Sequence, residues 1–120
     1  MWIYRQSSGM LLLNDTVVSR GYSGHGEGKN DPSDQALHNI GPIPVGHYAV
    51  GSPFTDPHKG TLVMRLTPHS ENEMFGRSGF LIHGDSSLEP GEASEGCVIL
   101  AHDIRALIAS STDRTLEVQA

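Results

Sequence analysis

A single cysteine stands in the 120 residues, so no internal disulfide can form, and one thiol leaves the redox compartment open. Long apolar runs are missing as well. The longest, Met10-Leu11-Leu12-Leu13, is far short of the ~20 residues that carry a helix across a bilayer, so no membrane insertion is expected. Positive charge is scarce: 8 Lys and Arg against 14 Asp and Glu leave a net charge of −6. Nucleic acid and anionic membranes both need a basic face, so neither is an expected partner. The opening Met1-Trp2-Ile3-Tyr4-Arg5 lacks the basic start and apolar stretch of a secretory signal. If the substrate lies outside the cytoplasm, the expectation is another export route, or a signal removed from the chain.

Apolar residues make up only 37%, whereas 14 glycines and 7 prolines are many for this length. That mixture favours short strands and long ordered loops over a helical bundle. With no repeat or dividing linker, residues 1–120 read as one compact domain. Turns at Ser7-Ser8-Gly9 and Asn14-Asp15 break residues 2 to 22 into a meander of strands. Residues 23 to 39 have almost nothing apolar to bury, and a loop so long in a small domain is usually functional or disordered. Ile40-Gly41-Pro42-Ile43-Pro44-Val45-Gly46 is a stiff approach to a strand at His47 to Gly51, and another strand spans Thr61 to Thr67. After a polar loop at 68 to 78, Gly79-Phe80-Leu81-Ile82-His83 is a short apolar strand ending on a histidine. A helix is predicted from Ala101 to Ser110, with Ile104, Leu107 and Ile108 on one face and His102-Asp103 capping its start. Thr115 to Gln119 closes the chain as a strand. The fold class is mainly β with one short helix.

Two segments carry chemistry: Ile82-His83-Gly84-Asp85 and Ala93-Ser94-Glu95-Gly96-Cys97-Val98. A strand ending in His-Gly puts an imidazole at a sheet edge. A Gly-Cys step just before a helix predicts a thiol at the helix N-terminus, where free N–H groups and the dipole favour a thiolate. Amides of Gly96 and Cys97, aided by Glu95, form the expected oxyanion hole, each donor being worth about 2.7–4 kcal/mol. A buried structural thiol and a satisfied strand-end histidine explain the same two residues equally well, since free cysteines are commonly buried. Seven histidines also invite a metal, but His25, His38, His47, His58, His69 and His102 show no metal-ligand spacing. No metal or other cofactor is expected.

At these residues the sequence resembles the L,D-transpeptidase catalytic domain, which has His-Gly at a strand end and then Ser/Thr-His-Gly-Cys. The counterparts are Ile82-His83-Gly84 and Ser94-Glu95-Gly96-Cys97, with Glu95 in place of the usual histidine and Ile99 in place of an arginine. Ile43-Pro44-Val45-Gly46-His47-Tyr48 resembles the family's Thr-Pro-x-Gly-x-Phe/Tyr strand. Together with Gly21-Tyr22-Ser23-Gly24, Asn30 and Met74-Phe75-Gly76-Arg77-Ser78, these motifs are similar to the type VI secretion L,D-transpeptidase effectors, the Tlde family, a divergent branch of the YkuD-type domain.

The resemblance implies an L,D-transpeptidase-like β-sandwich or barrel with a helix following the cysteine. It implies Cys97 as nucleophile, His83 as base oriented by the Gly84 carbonyl, and Ser94, Glu95 and Gly96 around the oxyanion. Tyr22, Ser23, Phe75 and Arg77 are the expected cleft residues, Arg77 by pairing with a stem carboxylate. The implied substrate is the peptidoglycan stem tetrapeptide, cut or exchanged at the bond from meso-diaminopimelate to D-alanine. The implied partners are a cognate immunity protein and a component of the secretion machine, with action in the periplasm of a rival bacterium. The alternative is a peptidoglycan-binding module that keeps the fold without the chemistry.

Overall fold

The structure, a computed structural model, describes residues 1–120. The meander forms β1 (Trp2–Arg5), β2 (Met10–Leu13) and β3 (Thr16–Arg20), followed after one residue by β4 (Tyr22–Ser23). The Ser23-to-Asn39 region holds two 3-10 turns, Gly26–Gly28 and Pro32–Asp34, and no strand beyond β4. Then come β5 (Gly46–Val50), β6 (Phe54–Asp56), β7 (Gly60–Pro68), β8 (Leu81–His83), β9 (Val98–Ile99), the helix α1 (His102–Ser110) and β10 (Thr115–Gln119).

One sheet runs in the order β3-β2-β1-β10-β5-β7-β8-β9-β4, with β6 hanging off β7. The two ends of that order, β3 and β4, are joined by Gly21 alone, so the sheet curls into a nearly closed barrel. Only glycine fits that corner: a Cβ on Gly21 would sit 1.9 Å from the Ile99 carbonyl oxygen. Neighbours pair antiparallel except β1 with β10 and β8 with β9.

Inward-facing Trp2, Tyr4, Leu11, Tyr48, Met64, Ile82, Val98 and Leu116 fill the barrel, and Ile108 of α1 joins them from outside β7. The helix face differs from the expected one. Ile104 and Ile108 turn inward, but Leu107 is exposed and Arg105 is buried instead. The Arg105 guanidinium donates to the carbonyls of Leu100 and Thr61 at 3.0 and 2.6 Å, which makes a charged residue the anchor of the helix. The start of α1 also departs from expectation. Its N-cap is Ala101, with no side-chain cap, and Asp103 accepts only from the adjacent Ile104 N–H.

Candidate active site

The β8–β9 pair builds the site. Ile82 sits opposite Val98, and His83 opposite Ile99, in a parallel register. Ile82 and Val98 point into the core, so alternation sends Leu81, His83 and Cys97 to the other face. The Leu81 N–H donates to the Cys97 sulfur at 3.3 Å, which fixes the thiol beside the strand that carries His83.

This placement corrects the expected setting of the thiol. Cys97 does not open a helix: the β-branched Val98 and Ile99 extend into β9 first, and α1 begins only at His102. The helix dipole therefore does not act on the sulfur. The Cys97 pKa is raised above its ordinary 9.0, with burial outweighing the Leu81 hydrogen bond and the Lys59 charge that pull it down. The resting group is a neutral thiol, not the expected thiolate.

His83 is 1% exposed, and its Nδ1 lies 2.9 Å from the Gly84 carbonyl oxygen. A carbonyl can only accept, so Nδ1 carries the proton and Nε2 is a bare acceptor. That Nε2 is shut off from solvent and has no hydrogen-bond partner. Burial holds the His83 pKa below its ordinary 6.5, partly offset by the Gly84 bond. Asp85 does not touch the ring. It accepts from the Tyr22 hydroxyl at 2.6 Å and from the N–H groups of Ser86 and Gly91, and so closes the loop after β8.

Behind Cys97 lies a wall of committed polar groups. Ser94, fully buried, donates to the Cys97 carbonyl at 2.6 Å and accepts from the N–H groups of Gly24 and Gly96. The Gly96 amide is thereby spent and is not an oxyanion donor, contrary to expectation; the Cys97 N–H keeps no intramolecular acceptor. Gly96 is glycine because a Cβ there would lie 2.5 Å from Arg77 Nη2.

None of the four expected cleft residues offers a free polar group to the cleft: Ser23 and Arg77 belong to this wall, and Tyr22 and Phe75 lie elsewhere. Ser23 is fully buried, donating to the Gly96 carbonyl and accepting from the Ile43 N–H. Tyr22 bridges Asp85 and the Ala93 N–H and faces a hollow on the far side of the loop; burial and the Asp85 bond raise its pKa to about 12. Phe75 takes a left-handed φ of 56° in its turn and does not line the cleft. Arg77 does line it, but both its Nη groups are taken up by the carbonyls of Gln35, Pro42, Gly41 and Glu95 at 2.6, 2.8, 3.0 and 3.2 Å. It is a clamp on the loops, not a free partner for a carboxylate.

On the open side of the cleft, Asn39 and Lys59, which the sequence did not single out, join the expected Glu95. A hollow of about 370 Å³ exposes Cys97 between Asn39, Lys59, Phe80 and Glu95. A second, of about 560 Å³, continues past His83 toward His25, His58 and Glu92, with His25 and Glu92 3.4 Å apart. Asn39, Lys59, His83, Ala93 and Glu95 border both. The only sequence signal for Asn39 and Lys59 is that 38–39 and 58–59 fall in polar turns, as do many residues with no role.

Fold and site together define a class: a mainly-β, barrel-like domain with a thiol and an imidazole on one face of neighbouring parallel strands. The chain belongs to the family described by the Tlde1 domain, whose family model matches residues 18–119, and this places it with the type VI effectors. The match takes in both site strands and leaves β1 and β2 outside. Among curated proteins, none matches the chain.

Proposed function

We propose that the protein is a cysteine-dependent L,D-carboxypeptidase and L,D-transpeptidase acting on the meso-diaminopimelate–D-alanine bond of tetrapeptide stems. One observation carries this reading: the bare, unpartnered Nε2 of His83, buried on the same sheet face as the Cys97 thiol. An orphaned buried acceptor costs about 1–3 kcal/mol, which a proton received during reaction explains.

Because both groups rest neutral, His83 acts as a general base during attack rather than as half of a standing ion pair. Cys97 Sγ bonds to the diaminopimelate carbonyl carbon while its proton passes to His83 Nε2. The Cys97 N–H stabilises the oxyanion. The tetrahedral adduct collapses, the C–N bond breaks, and Nε2 returns the proton to the leaving D-alanine amine. A thioester remains. Water or an incoming amine attacks it, giving its proton to Nε2, and the departing sulfur recovers that proton. Water yields the tripeptide, and an amine yields exchange or a cross-link.

In this reading the protein is a toxin carried by a secretion machine into the periplasm of a rival cell, and its producer holds an immunity protein. Mass spectrometry of muropeptides tests the chemistry. Wild type is expected to remove or exchange D-alanine on tetrapeptides, whereas Cys97→Ala and His83→Ala are not, with circular dichroism unchanged. Wild-type conversion by Cys97→Ala would sink the thiol mechanism. Stem binding by a wild type that converts nothing would leave the non-catalytic binding module.

A further inference from the structure

We propose that Lys59 is the specificity residue of the cleft, holding the terminal carboxylate of the donor stem beside Cys97; this rests on the reaction proposed above.

Lys59 is set at the tip of the β6–β7 hairpin by a built turn. Asp56 Oδ1 accepts from the N–H groups of His58 and Lys59 at 2.8 and 2.9 Å, and Gly60, at φ 91°, returns the chain into β7. The same β7 pairs with β8 through Met64 opposite Ile82 and Arg65 opposite Leu81, so the hairpin rises from the strand next to His83. Lys59 borders both hollows of the cleft. Its charge reaches both reacting groups, pulling down the pKa of Cys97 and of His83 alike.

The ammonium is also uncommitted. Lys59 takes part in none of the chain's ion pairs. Arg77, the other full cation bordering the Cys97 hollow, has its guanidinium spread over four carbonyls, and His38 Nε2 is tied to the Phe75 carbonyl at 2.9 Å. A stem tetrapeptide ends in a carboxylate one residue beyond the attacked carbonyl, and it must approach a protein of net charge −6. A lysine on the lip supplies local attraction that the whole molecule lacks. Glu95 borders the same hollows with the opposite sign, so a carboxylate placed at Lys59 is kept off the Glu95 side.

Two measurements test Lys59, and the first needs no enzymatic turnover. Cys97 is alkylated with anionic iodoacetate and neutral iodoacetamide, and the ratio of rates is compared among variants. Taking the ratio cancels any change in the thiol pKa. Lys59→Ala is expected to lower the iodoacetate preference about threefold at low salt, and Lys59→Arg to restore it. An unchanged ratio overturns the placement of the charge. The second uses tetrapeptide stems with a free or amidated terminus. Lys59→Ala should raise KM for the free acid about tenfold, with the loss confined to KM, and amidation should cost wild type a similar factor and the variant nothing more. An amidation penalty equal in wild type and Lys59→Ala overturns the assignment. If wild type turns over neither stem, the proposed reaction fails, while the alkylation ratio still decides whether Lys59 presents its charge to the cleft.

Discussion

The cleft around Cys97 has two unlike sides. On the wall, Ser23, Ser94 and Arg77 are buried, and the two hydroxyls and both Nη groups of Arg77 are spent on backbone. On the lip, Lys59 and Glu95 are exposed, and neither the ammonium nor the carboxylate enters an ion pair of the chain. The wall fixes where the thiol stands; the lip is free to meet a ligand. Motif residues fell mostly on the wall, so a family signature in this chain records bracing as much as substrate contact.

If the division is right, wall and lip substitutions separate cleanly into stability and kinetics. The largest effect is expected from Arg77→Met, which leaves four carbonyls without their donor and should cost roughly 3–5 kcal/mol in denaturant unfolding. A loss of stem affinity at full stability would instead put Arg77 on the lip. Ser94→Ala comes next, at about 1–3 kcal/mol, because the Gly24 and Gly96 amides and the Cys97 carbonyl each lose a partner.

Smaller still is the effect of pH on the two site groups. His83 has its folded pKa below the ordinary 6.5, so as pH falls through 6.5 the unfolded chain takes up a proton that the folded one refuses. Stability should therefore decline from 6.5 downward to the folded pKa. Cys97, raised above 9.0, adds a decline as pH rises past 9.0. Chemical denaturation across pH, repeated on His83→Gln, checks this: the variant should lose the decline that begins near 6.5. The same shifts predict turnover whose acid limb has its midpoint below 6.5 and which stays high through neutral pH. On the lip, Glu95→Gln should change stability by less than about 0.5 kcal/mol. A cost like that of Ser94→Ala would make Glu95 part of the wall.

Much of the barrel was legible because its strands are punctuated. Asn14-Asp15, both at positive φ, mark the β2–β3 turn, and apolar runs set between polar turns along the chain give β1, β2, β7 and β8 close to their observed limits. The two-residue strands β4 and β9 are too short for alternation to register, and β6 is only three residues long. Missing β9 had a chemical consequence. Val98-Ile99 read as the run into a helix placed Cys97 at a helix start and predicted a thiolate, whereas a strand there puts the sulfur against β8 and raises its pKa. His83 and Cys97 could be picked out because few residues do their chemistry. Nothing in the sequence distinguishes an arginine that clamps carbonyls from one that awaits a carboxylate, since the partners of Arg77 lie 18 to 42 positions away.

Cys97 is the only cysteine, so one titration addresses the central claim directly. The protein is alkylated in steps, the modified fraction is read by intact-mass spectrometry, and conversion of tetrapeptide stems to tripeptides is measured at each step. Turnover falling in proportion to modified Cys97, and reaching zero when every thiol is blocked, is the predicted result. Conversion that persists with Cys97 fully alkylated would contradict it.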